Sequence, residues 1–150
     1  MSITPVSELP PVPERVEEAM RRLSASESVK SLLEAIRQDD DATRDQQIEI
    51  CEVPAPPFKE TKRGELLLSL FRQYGLKDEV GNVLGLRRGT GNGPVVQIAA
   101  HLDTVFPEGT DVTVKKDGNT YRAPGISDDT RGLASMLCVL RQLDQLNIQT

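Results

Sequence analysis

The sequence lacks any long apolar run: the longest are only a few residues, such as Leu66-Leu67-Leu68. A membrane-spanning helix needs about 20 apolar residues, so none is expected. The N-terminus also lacks the continuous apolar segment of a secretory signal, because Pro5, Glu8, Pro10, Pro11 and Pro13 interrupt it. A cytoplasmic protein is expected. Cysteine is scarce. Cys51 and Cys138 lie far apart, each in an amphipathic helical pattern and without Cys-x-x-Cys spacing, which predicts free buried thiols. Positive charge is thin as well. The net charge is −5 and the basic pairs Arg21-Arg22 and Arg87-Arg88 are too short to line a groove, which argues against nucleic acid as a partner. Glycines cluster at Gly89-Thr90-Gly91-Asn92-Gly93, but no Gly-Lys-Ser/Thr follows and the next pattern is a strand, so a hairpin turn is expected there and not a phosphate loop.

What is present suits one ordinary domain. The 150 residues are 37% hydrophobic and 27% charged, and a chain of this length can bury roughly two-thirds of its unfolded surface. Residues 1–25 read as a proline-rich leader followed by a short amphipathic helix. Val16, Ala19, Met20 and Leu23 recur at helical spacing behind Pro13, with Glu17–Arg21 and Glu18–Arg22 as solvated i,i+4 pairs. Residues 26–150 read as the second unit. Within it a helix starting near Ser26 or Ser28 should carry Val29, Leu32, Leu33 and Ile36 inward. It should stop about Asp39-Asp40-Asp41, where an aspartate caps the next helix. That helix reaches Cys51, and Pro54-Ala55-Pro56-Pro57 forces a turn. Leu67, Leu70, Phe71 and Tyr74 form the next apolar stripe, ended by Gly75.

From there the hydrophobic period changes to two. Val83–Leu86 and Val95–Ala100 read as strands joined through the glycine cluster, and Val112–Val114 and Thr120-Tyr121 flank a turn signal at Asp117-Gly118. Leu133, Met136, Leu137, Leu140 and Leu143 predict a last helix, which Asn147 can end. Helices before, between and after strands give an α/β class, with helices packed on a mixed sheet.

His101 is the sole histidine, and it sits where the apolar strand Val95–Ala100 runs out, the end at which α/β sheets place ligands. Alternation along a strand puts His101 and Asp103 on one side and Leu102 on the other. An imidazole and a carboxylate therefore converge. Asp128-Asp129 follows a glycine-containing turn at the start of the last helix, where free N–H groups and the helix dipole favour a fixed, ionised carboxylate. Capping alone accounts for one aspartate. It does not account for Gly125, two successive carboxylates and Gly132 beside an upstream His-x-Asp.

His101-Leu102-Asp103-Thr104-Val105 and Ala123-Pro124-Gly125-Ile126-Ser127-Asp128-Asp129-Thr130-Arg131-Gly132 together resemble the co-catalytic zinc exopeptidase and deacylase family, over roughly Ser26 to Thr150. That family includes tripeptide aminopeptidase, glutamate carboxypeptidases and succinyl-diaminopimelate desuccinylase. The resemblance implies a partial zinc-exopeptidase-like catalytic domain that cleaves amide bonds of small peptides, or alternatively of N-acyl amino acids. It implies two zinc ions, with cobalt or manganese as alternatives. His101 and Asp128 would be metal ligands, Asp128 bridging. Asp103 would complete the catalytic set by accepting the other imidazole N–H. The Asp128–Asp129 peptide is expected to be cis, and a homodimer is allowed for the full-length protein. The family's Glu-Glu pair and remaining ligands would lie beyond Thr150, so this chain is expected to be an N-terminal part, inactive alone. A non-catalytic metal-binding or interaction module is the rival reading.

Overall fold

The computed structural model describes residues 10–71, 75–77 and 81–149. The leader's first nine residues and Tyr74 lie outside them. Five helices, α1 (Glu14–Ala25), α2 (Glu27–Gln38), α3 (Asp40–Cys51), α4 (Thr61–Phe71) and α5 (Thr130–Gln145), accompany four short strands. The strands are β1 (Gly75–Lys77), β2 (Val83–Gly85), β3 (Lys115–Asp117) and β4 (Thr120–Arg122). The class is α/β, as the sequence predicts. Among the described residues the strands form two antiparallel pairs, β1 with β2 and β3 with β4.

The first and last helix boundaries have local causes. Pro13 precedes α1 with φ −58, and Glu14 and Glu17 place negative charge in its first turn. At the other end of the chain, Asn147 takes φ +54 after α5. Its N–H donates to Asp144 O at 3.1 Å and the Ile148 N–H to Leu143 O at 2.9 Å. This is the paired closure that satisfies the last helical carbonyls. Asp39 stands at the N-cap position of α3 but makes no side-chain cap bond. Its carboxylate accepts instead from Thr43 Oγ1 at 2.9 Å and from the Arg141 guanidinium. A charge-assisted bond outcompetes a neutral backbone donor, so an expected cap becomes a tie between α3 and α5.

The core lies where α3, α4 and α5 meet. Ile50, Leu67, Phe71, Leu133 and Leu137 are buried there, with Leu66, Leu70, Val83, Ala100, Leu102, Met136 and Leu140 packed around them. Full burial of each such side chain contributes roughly 1.5–3 kcal/mol. Cys51 and Cys138 are buried free thiols. The first two helices stay at the periphery: neither α1 nor α2 has a buried residue, and Leu33, expected inward, is exposed. Among the described residues, Arg21 pairs with Glu18 at i,i+3.

Three strand expectations are corrected. Val83–Gly85 is a strand, but it pairs with β1, in register Gly75↔Gly85, and not with the segment from Val95. The pairing works because glycine stands at both positions. A Cβ on Gly85 would lie 2.9 Å from the Phe71 ring, and one on Gly75 would lie 2.9 Å from Leu68 O, so this end of the ribbon lies directly against α4. Residues 95–100 form no strand, and Val95 and Val96 are 92% and 80% exposed. A strand exists only through its ladder, and no described strand lies alongside this one. The hairpin at Asp117-Gly118 forms with Asp117 opposite Thr120, its first strand at Lys115–Asp117 and not at Val112–Val114.

Candidate metal centre

His101 and Asp103 reach the surface at the end of the unladdered segment, while Leu102 between them packs on the core. The alternation read from sequence thus holds without a sheet to impose it. His101 Nδ1 lies 2.9 Å from Asp103 O and 3.3 Å from Asp103 Oδ1. On the opposite edge of the ring, Nε2 lies 3.0 Å from Asp128 Oδ1. Both ring nitrogens therefore face acceptors. Partial burial works against the charged imidazole, but the Asp128 hydrogen bond, the Asp103 carbonyl and the charges of Asp103 and Asp129 outweigh it and raise the His101 pKa above its ordinary value.

The acidic pair enters from the turn before α5. Asp129 is the N-cap residue, without a side-chain cap bond, and Asp128 precedes it with its carboxylate 82% exposed. The peptide between them is cis. Three contacts hold this turn. Gln47 Nε2 donates to Ile126 O at 2.5 Å and Cys51 Sγ to Pro124 O at 3.6 Å, both from α3. Thr130 Oγ1 donates back to Gly125 O at 2.5 Å. Gly125 itself takes φ +77, and a Cβ there would sit 2.9 Å from Thr104 Cγ2.

Thr104 joins the two halves of the site. It is buried, and its N–H and Oγ1 both donate to Ala55 O, at 2.8 and 3.2 Å. The proline loop 54–57 is thereby fixed to the His-x-Asp segment. Just behind lies Arg63 of α4, wholly buried, whose guanidinium donates to Val53 O at 3.0 and 2.7 Å, to Cys51 O at 3.4 Å and to Leu102 O at 2.8 Å. Burial pushes its pKa below the usual guanidinium range, with Cys51 and Asp103 acting in the opposite sense.

Neither Arg63 nor Gln47 was singled out from sequence. A signal for Arg63 did exist, since it falls on the same helical stripe as Leu67 and Phe71, at i+4 and i+8. Gln47 carried none, because its partner lies far along the chain. A shallow concavity of about 410 Å³ lined by Asp111, Lys115, Arg122 and Pro124 contains none of His101, Asp103 and Asp128. Side-chain chemistry, and not cavity shape, locates the site.

As donors, an imidazole nitrogen and a carboxylate oxygen 3.0 Å apart suit one ion: ligands about 2.0–2.2 Å from zinc at a tetrahedral angle lie roughly 3.3 Å from each other. Among the described residues, no group of three or more His, Cys, Asp or Glu side chains is placed to hold a metal. The donor pair fits a metal as part of a larger set.

Comparison with known proteins falls on the same segment. Residues 97–150 match peptidase family M20/M25/M40. A protein of Pyrococcus abyssi named as a LysW-lysine/LysW-ornithine hydrolase is 37% identical over 60 residues, covering 38% of this chain and 17% of that protein. Its namesake from Pyrococcus furiosus is 36% identical over 59 residues, covering 37% and 18%. The alignments thus cover under a fifth of the length of these relatives. His101, Asp103 and Asp128 all lie inside the stretch, Gln97 to Thr150, that is similar to peptidase family M20/M25/M40.

Proposed function

We propose that the chain is the N-terminal part of the catalytic domain of a cytoplasmic, metal-dependent hydrolase of small amide substrates. The observation that carries this reading is the His101 ring, held between Asp103 on one edge and Asp128 on the other. His101 Nε2 and the Asp128 carboxylate would hold the metal, zinc by preference. Asp103 positions the ring. By accepting a hydrogen bond from Nδ1–H through its carbonyl and carboxylate, it leaves the Nε2 lone pair free to coordinate.

A bound metal pair supplies an activated water and polarisation of the scissile carbonyl. The residues described here do the rest of what they can. Asp128 brings negative charge to the imidazole edge, the α3 contacts to Ile126 and Pro124 keep its turn in place, and Thr104 keeps the proline loop at the rim. No described residue is assigned as the general base, and the donor pair falls short of zinc's usual four ligands. The 150-residue chain alone is therefore expected to be catalytically incomplete.

For the substrate, a peptide with aminopeptidase or dipeptidase cleavage is the first reading. A second, an N-acyl amino acid, has a specific observation in its favour: the relatives are named as hydrolases of LysW-lysine or LysW-ornithine. In a longer form of the protein that carries the remaining ligands, comparing hydrolysis of dipeptides with N-acyl amino acids separates the two.

The metal reading has a direct test, because the chain holds a single imidazole. Zinc should shift the one set of histidine ring resonances in the NMR spectrum at substoichiometric additions, and Asp128→Asn should blunt the response. Ring signals indifferent to zinc would overturn the proposal.

A further inference from the structure

Arg63 combines a high burial cost with an unusual partner set. A guanidinium removed from water costs several kcal/mol unless it is well compensated, and this one is 0% exposed. Among the described residues no carboxylate lies within ion-pair distance of it. All four of its hydrogen bonds go to backbone carbonyls. Two of those carbonyls, Cys51 O and Val53 O, lie at the C-terminal end of α3, where the helix dipole supplies partial negative charge. The other, Leu102 O, belongs to the residue between His101 and Asp103.

This third bond matters because of what the segment lacks. Residues 95–104 have no ladder, so nothing in a described sheet fixes the rotation of their peptide planes. Two adjacent anchors take over. Arg63 Nη1 fixes the Leu102 carbonyl at 2.8 Å, and Ala55 O fixes the Thr104 N–H at 2.8 Å. With planes set on both sides of Asp103, Leu102 is directed to the core, and His101 and Asp103 are left on the outer side, where His101 Nε2 lies 3.0 Å from Asp128 Oδ1.

We propose that Arg63 is the positioning residue of the site: a buried guanidinium clamp that joins the end of α3 to the Leu102 carbonyl and so sets the His101–Asp103 geometry. The inference deepens the metal reading above and rests on it for its consequence, though the clamp itself can be tested without metal. Its chemistry demands arginine. The planar fork reaches carbonyls on two segments at once, whereas a lysine ammonium is a point donor on a flexible stem and cannot span them in the same way.

The test compares the wild-type chain with Arg63→Lys and Arg63→Met, and with Leu137→Ala as a core variant that lowers stability without touching the site. Cobalt(II) serves as the probe, its visible absorption reporting ligand geometry. Both Arg63 variants should weaken cobalt uptake by about tenfold or more, the effect typical of removing groups that orient a ligand, and should alter the spectrum. Lysine should recover only part of the loss, and Leu137→Ala should keep the wild-type spectrum and midpoint. Arg63 variants that change cobalt uptake no more than Leu137→Ala does would overturn the clamp. Should Arg63→Met fail to fold, Arg63→Lys carries the comparison. If wild type and His101→Ala take up cobalt identically, the metal reading fails, and the clamp is judged on hydrogen exchange of the Thr104 amide. Faster exchange in Arg63→Lys than in Leu137→Ala supports it; equal exchange refutes it.

Discussion

Single residues decide whether the acidic turn can exist. A Cβ on Gly132 would fall 2.2 Å from Asp129 Oδ1, closer than any real contact, so Gly132→Ala must drive the Asp129 carboxylate from its place. Such overpacking costs typically 1–3 kcal/mol, and urea unfolding should read a loss of about that size. A loss within experimental error would show that the turn adapts freely. Asp39 gives a prediction in pH. Burial works to raise its pKa, but bonds from Arg141, Thr43 and Cys138 and the charge of Arg141 lower it below the ordinary carboxylate value. A carboxylate with a depressed folded pKa contributes stability that is present above the unfolded value, about 3.9, and is lost as pH falls through the folded value. Asp39→Asn should therefore be less stable than wild type near neutrality, and melts at descending pH should show the gap closing below about pH 4. A gap independent of pH would contradict the assignment. The convergence of His101 with Asp103 and Asp128 was legible at this scale because alternation and a short motif are local signals. Arg63 was not. Its place on the stripe of Leu67 and Phe71 is local, but a charged side chain still reads as solvated until the carbonyls it serves are known, and those come from two other segments.

Among the elements, α5 was the most legible. Its apolar stripe predicts the helix, and Asn147 predicts its end, because both depend on residues within a few turns of one another. Strand pairing is the opposite case. The period-two pattern at Val83–Gly85 is genuine, yet the sequence cannot say which partner it takes; the paired glycines at 75 and 85 and the nearby Phe71 ring decide that through packing. Gly85→Ala should therefore act like a core overpacking change. A destabilisation of about 1–3 kcal/mol is expected in thermal melts, larger than the small effect of adding a methyl to an exposed strand. An unchanged melting temperature would mean that the ribbon does not press on α4.

For the whole molecule, the α/β class followed from the order of patterns, while the core came from the meeting of α3, α4 and α5, which no single window of sequence contains. The same scale exposes a consequence. Val95, Val96 and Ile98 present apolar side chains to solvent along a segment whose backbone has no ladder, the combination that invites edge-to-edge association. Sedimentation should show the chain self-associating with concentration, and Val96→Lys with Ile98→Lys should shift it toward monomer. Wild type that stays monomeric at high concentration would contradict this. All three scales meet in the site: a turn before α5 and the segment beneath the proline loop bring His101 Nε2 to 3.0 Å from Asp128 Oδ1, the pair proposed to share one ion. Calorimetric titration of zinc into wild type, His101→Ala and Asp128→Asn measures this most directly. A saturable isotherm in wild type that is abolished by His101→Ala and weakened by Asp128→Asn is the predicted result, and three superimposable isotherms would contradict the account.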